Sequence, residues 1–223
     1  MHINRMLQVI TLAGLVLILT GGSAMATSFT VTLDTSTLSG TQTVAFGLTN
    51  GDGVADNSVT LSAFHFGGGS AIAGTQDCTF GGMFSGIGCS GNLTSGVTLD
   101  DSGTQALFTE QFHVGSSLSF ALATTNNFFP LSPIPDGFDF FLCDATVSTC
   151  YSDASTSAML VLPLAGGTLS PSDFILSGAT AQGLPAPVVT LGATPEPESF
   201  LLMLTGLFAL GAYSRKWIAA KAS

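Results

Sequence analysis

Ser28-Phe29-Thr30-Val31-Thr32-Leu33-Asp34 is the stretch that decides the fold, because its apolar residues alternate strictly with hydroxylated or acidic ones. A strand sends successive side chains to opposite faces, so this stretch buries one face and wets the other. The same period of two recurs at Val44, Phe46 and Leu48, at Leu118, Phe120 and Leu122, and at Phe138, Phe140 and Leu142. Val59 and Leu61 lead into Phe64-His65-Phe66 with the same rhythm, and residues 159–162 and 174–176 are short continuous apolar runs. Leu107, Phe108, Phe112 and Val114 are spaced less regularly, which predicts a β-bulge. Asn50-Gly51-Asp52-Gly53, Gly67-Gly68-Gly69, Pro133-Ile134-Pro135-Asp136-Gly137 and Gly166-Gly167 supply turn chemistry between these segments. No 3.6-residue period is sustained between the two ends of the chain. Eight to ten short strands predict an all-β fold, a single antiparallel β-sandwich of jelly-roll type with phenylalanine supplying most of the core.

The two ends read differently. Arg5 precedes an apolar stretch over residues 6–19, followed by Gly21-Gly22-Ser23 and Ala24-Met25-Ala26. A basic start, an apolar centre and a small-x-small site make residues 1–26 a signal peptide, with the mature chain beginning at Thr27. At the other end Thr194-Pro195-Glu196-Pro197-Glu198 leads into residues 199–214, which carry no charge and stop at Arg215-Lys216. Sixteen helical residues span about 24 Å against a bilayer core of about 30 Å, a short transmembrane segment that leans on its flanks. The positive charge after it predicts a cytoplasmic C-terminus, with Trp217 as an interfacial anchor. The residues between 180 and 194, with Pro185 and Pro187, read as a last edge strand running into a spacer. The resulting organisation is a signal peptide (1–26), an ectodomain (27–180), a spacer (181–194) and a tail (195–221) containing the segment 199–214.

A proline-acid signal, one marginal membrane segment and a basic stop, in that order, resemble the PEP-CTERM tail handled by exosortases in Gram-negative bacteria that make exopolysaccharide. The resemblance covers about residues 194–221. It implies that Pro195, Glu196 and Pro197 are the recognised signal, that Arg215 and Lys216 form the stop, and that an exosortase is a partner. It also implies a chain exported and anchored by its C-terminus, then found at the cell surface or outside after cleavage. The middle of the chain is similar to a small Phe-rich ectodomain that accompanies such tails. Phe29-Thr-Val-Thr-Leu-Asp-Thr-Ser, the Asn50-Gly-Asp-Gly turn before Asn57-Ser-Val-Thr-Leu, and the Phe-rich strand after Pro135-Asp136-Gly137 carry that likeness. It implies a fold and brings no catalytic residue.

All four Lys and Arg (Arg5, Arg215, Lys216, Lys221) lie in the end segments, whereas residues 27–194 hold twelve of the fourteen carboxylates. Such a surface repels phosphate polymers, so nucleic acid is excluded as a partner. Acidic polysaccharides and anionic lipids are disfavoured unless a divalent cation bridges the two surfaces. Carboxylates here have no Lys or Arg to pair with and must rely on backbone donors, hydroxyls, water or metal.

Cys78, Cys89, Cys143 and Cys150 are an even set in the exported part, which predicts two disulfides. Of the three connectivities, Cys78–Cys89 and Cys143–Cys150 are favoured because each closes a short loop rich in Gly or Ser/Thr.

Candidate chemistry is sparse. Asn50, Asp52 and Asp56 cluster oxygen atoms in a Gly-bearing loop and are the candidate calcium ligands, the one cofactor the chain invites. The same residues also suit an ordinary hairpin turn, as do Asp100-Asp101. Glu110 and Asp139 would have to face each other across a cleft to serve a hydrolase. His65 and His113 fall in strand patterns, without a Gly-x-Ser-x-Gly elbow or metal-ligand spacing. A sugar platform would want an exposed Trp or Tyr face, and Tyr151 is the one such residue outside the tail. The expectation is therefore a non-enzymatic envelope or extracellular-matrix protein with a structural or interaction role near exopolysaccharide. A carbohydrate-binding module is the alternative, and a secreted hydrolase a weaker third.

Overall fold

The computed structural model describes residues 27–79, 82 and 86–192. The signal peptide, the Pro195-Glu196-Pro197 signal, the segment 199–214 and the Arg215-Lys216 stop lie outside the described residues. Among the described residues, no helix is long and apolar enough to cross a membrane.

Alternating apolar positions become two six-stranded sheets among the described residues, and every pairing is antiparallel. The first runs β12 (Val188–Leu191), β1 (Thr27–Asp34), β8 (Ser117–Thr124), β3 (Ser58–His65), β6 (Gly96–Asp100), β5 (Cys89–Asn92). The second runs β11 (Ile175–Leu176), β10 (Leu160–Leu164), β9 (Asp136–Asp144), β2 (Thr41–Thr49), β7 (Gln105–His113), β4 (Ser70–Ala71). The first four strands step from sheet to sheet, and β6 to β8 step back between them. The spatial order 1-8-3-6 facing 2-7-4 is the wrapped path of a jelly roll, with β9 to β11 widening the second sheet.

Register explains why one face of each sheet is dry. Phe29 stands opposite Leu122, Val31 opposite Phe120 and Leu33 opposite Leu118, so all six point the same way. In the second sheet Phe46 stands between Phe140 and Phe108, and Val44 and Leu48 face Leu142 and Phe138. Phe46, fully buried, has ring neighbours on its own sheet at 5.4 Å (Phe140), 6.2 Å (Phe108) and 6.3 Å (Phe138). Phe120 of the opposite sheet meets it edge-on at 5.3 Å, the favoured offset for two quadrupoles.

Three details depart from the sequence reading. The bulge lies in β3, where the register with β8 shifts between Ser62 and His65 and Ala63 adopts a φ of 51°. Strand β7 is in continuous register with β2 from Gln105 to His113. Its apolar residues fall on both faces, Ala106, Phe108 and Phe112 inward and Leu107 outward, and the segment after β4 continues the pairing along its free edge. Ile72 donates its N–H to the Gln111 carbonyl, and Asp77 exchanges N–H and carbonyl with Thr109. The last edge strand read over residues 180–194 is present as β12, which pairs with β1 from Leu191↔Phe29 to Val188↔Thr32, so the domain boundary drawn at residue 180 falls short.

Both cysteine pairs are local disulfides, Cys78–Cys89 and Cys143–Cys150. Cys78 follows the Asp77–Thr109 bridge on the second sheet and Cys89 opens β5 on the first, so that bond joins the two sheets along their open edge. Cys143–Cys150 closes the hairpin after β9, where the Asp144 carboxylate accepts from the hydroxyl and N–H of both Ser148 and Thr146. Those donors, the Ser148 hydroxyl foremost, hold the Asp144 carboxyl down to about 2.

Phe46→Ala should lower stability by about 3–5 kcal/mol, since the cavity would open where both sheets meet and no neighbour is free to collapse. Urea unfolding followed by circular dichroism measures this directly, and a loss below about 1 kcal/mol would mean that the ring cluster is not the centre of the core.

Candidate functional site

Register brings three loops to one end of the sandwich. Thr49 pairs with both Gly137 and Gln105, and Ser58 pairs with Asp100. The β2–β3 loop, the β6–β7 turn and the long β8–β9 loop therefore emerge side by side. With no Lys or Arg in the domain, their carboxylates are held by N–H groups instead.

Asp136, 1% exposed, accepts from the N–H of Gly51 at 2.7 Å and of Asp52 at 3.1 Å. Its other oxygen accepts from the Asn57 amide at 2.7 Å. Gly51 is required at its position, because a Cβ there would collide with the Pro135 carbonyl. Asp101, 2% exposed, accepts from the N–H of Asn57 at 2.9 Å and of Asp56 at 3.3 Å. Asn57 is the hub, since its amide also donates to the Asn127 carbonyl and its oxygen accepts from the Asn127 N–H. Asp52 accepts from Val54 N–H within its own loop and from Phe129 N–H across the gap, both at 2.8 Å.

The two buried carboxyls lie close enough to act on each other's protonation. Burial raises Asp101 to about 6; Asn57 N–H opposes this, and the bond to Asp136 and its charge add to it. Burial pushes Asp136 upward too, but the Asn57 amide, Asp52 N–H, the Asp101 carboxyl and Gly51 N–H together hold it below its ordinary value. Of the two, Asp101 is the one that keeps its proton to higher pH. Burial, followed by the charges of Asp52 and Asp136, raises Asp56.

Of the sequence candidates, Asp52 and Asp56 converge, and Asp136 joins them. One carboxylate oxygen from each lies within 4.8 Å of the others. Three such oxygens could form part of the shell of a hard divalent cation, which takes six to eight. Asn50 instead braces the loop, its amide donating to the Asp101 carbonyl and its oxygen accepting from Gly53 N–H. Asp101 was legible only as a turn residue. Asp100 does behave as one, accepting from Ser102 N–H, while Asp101 turns inward.

The remaining candidates are kept apart. Glu110 pairs with Val44 and shares its inward face, accepting from Leu93 N–H at 2.7 Å; burial raises its pKa against that bond. Asp139 pairs with Gly47 on the outer face of the same sheet, and burial raises it too. With a sheet between them, they cannot act on one bond as acid and base. His65 and His113 are exposed on different sheets. Tyr151 is half-buried against the core, with its hydroxyl donating to Gln42 at 3.0 Å. Comparison with protein-family models, curated proteins and solved structures gave no match.

The sign of the Asp101 effect follows from its direction. An acid raised from 3.8 to about 6 contributes stability fully present below about pH 4 and lost as the pH rises through about 6. Asp136, held low, acts in the opposite sense, its contribution persisting above the unfolded carboxylate range. Asp101→Asn keeps an acceptor for both N–H groups and removes the charge beside Asp136. It should stabilise the domain at pH 7 by about 1–2 kcal/mol and flatten the fall between pH 4 and 6. Urea midpoints at pH 4.5 and 7 test this, and an unchanged slope would mean that Asp101 is not raised by burial.

Proposed function

We propose that the protein is an exported, exosortase-sorted component of the cell envelope or extracellular matrix, with a structural or interaction role near exopolysaccharide. The observation that carries this reading is the pair of disulfides, which close all four cysteines of the domain and suit an oxidising compartment outside the cytoplasm. The distribution of charge supports it, because every Lys and Arg lies in the two end segments, where targeting would use them. The separation of Glu110 from Asp139 favours an interaction role over hydrolysis. Calcium at Asp52, Asp56 and Asp136 would be the means by which so acidic a surface meets an acidic polysaccharide.

Intact mass spectrometry of the protein from membrane and extracellular fractions of the native host tests the sorting step. The expected result is an N-terminus at Thr27 and, outside the cell, loss of everything after about Pro197. A chain that keeps Ser223 and is found only in the membrane would overturn it.

A further inference from the structure

We propose that the loop end of the sandwich is a lipid-docking face that seats the domain end-on against a bilayer of neutral headgroups. The inference rests on the tail reading for what brings a bilayer near, and on the structure for which end meets it.

Exposed large apolar side chains gather at this end. In the β8–β9 loop Leu131 is 83% exposed, Ile134 60% and Phe129 42%, and Val54 in the β2–β3 loop and Leu191 at the end of β12 are exposed beside them. These side chains are held in place from behind. Phe129 N–H is fixed by Asp52, Ser132 donates its N–H to the Phe129 carbonyl, and Asn127 and Asn126 are tied to Asn57 and to Gly166 and Gly167. A loop whose stem is polar and satisfied, and whose tip displays Phe, Leu and Ile, keeps apolar surface in water that a lipid phase would remove.

Both ends of the described chain leave from the same place. Thr27 pairs with Thr124, the last residue of β8, and Gly192 donates its N–H to the Ser28 carbonyl. Six residues separate Gly192 from Ser199, where the uncharged segment begins, and the seven steps along the chain reach at most about 25 Å. An inserted 199–214 segment would therefore hold this end, and not the opposite one, at the lipid surface. The occupant is a neutral surface, because the domain carries no Lys or Arg to attract anionic headgroups and the acidic cluster lies just behind the tips. Seated in this way, the domain would also keep Pro195-Glu196-Pro197 at the interface.

The test uses the full mature chain in phosphatidylcholine nanodiscs, on a Trp217→Phe background that removes the one native Trp. A single Trp is placed by Leu131→Trp at the loop end, or by Ser39→Trp at the exposed turn of the opposite end. Brominated phosphatidylcholine should quench the emission of the first and leave the second unchanged, with a blue shift for the first alone. Quenching of neither, with protein still co-eluting with the discs, would overturn the docking and leave the anchor standing. Quenching of neither without co-elution would overturn both. Quenching of both would replace end-on seating with a domain lying on its side. Absence of quenching with two chains per disc would assign the face to a second copy.

Discussion

The edge-on contact between Phe46 and Phe120 is where the two sheets are joined, and the rest of the molecule is arranged around it. Phe46 stands at the middle of a five-strand stretch of its sheet, flanked by Phe140 and Phe108 on neighbouring strands. Phe120 holds the equivalent place between β1 and β3. Rings this large bury much apolar area for two rotatable bonds each, which suits a domain that carries no Lys or Arg. Phe174, against Phe29 at 4.8 Å, extends the same packing to the strand that closes the second sheet.

A second constraint shapes the loops. Without Lys or Arg, a buried carboxylate can be satisfied only by N–H groups, hydroxyls, amides or another carboxyl. Backbone donors are fixed in space, so each carboxylate that uses them fixes a loop in return. Asp136 positions the start of the β2–β3 loop, Asp101 its end, and Asn57 ties both to the β8–β9 loop. The raised pKa of Asp101 is the consequence of burying it, with a second carboxyl close by. The same polar frame presents Leu131 and Ile134 outward, so the features of this end share one physical origin.

Residues 27–34, 41–49, 117–124 and 136–144 are legible as strands because a half-buried sheet imposes a period of two that few other structures tolerate. Strand β7 is obscured because Leu107 and Thr109 are buried on the face that would otherwise be polar, so both of its faces are largely dry. Asp52 and Asp56 are close in sequence and were visible as a pair, whereas Asp136 lies 85 residues from the Gly51 N–H that it accepts from. No local pattern could join them. Asp101 was hidden for a related reason, since an Asp-Asp pair before Ser-Gly looks the same whether its second carboxylate points to water or inward.

By itself, then, the sequence determined what is local or compositional: the alternation that makes strands, the glycine turns, the two short-range disulfides and a domain free of Lys and Arg. Tertiary structure alone decided which carboxylates meet, that Glu110 and Asp139 lie on opposite faces of one sheet, and that both ends of the domain leave beside an apolar loop. The physical reason is that strand periodicity fixes which face a side chain takes relative to its sequence neighbours, while inter-strand register fixes what lies opposite. Register here is set by the summed burial of phenylalanines from strands up to about a hundred residues apart, a quantity that no single segment carries.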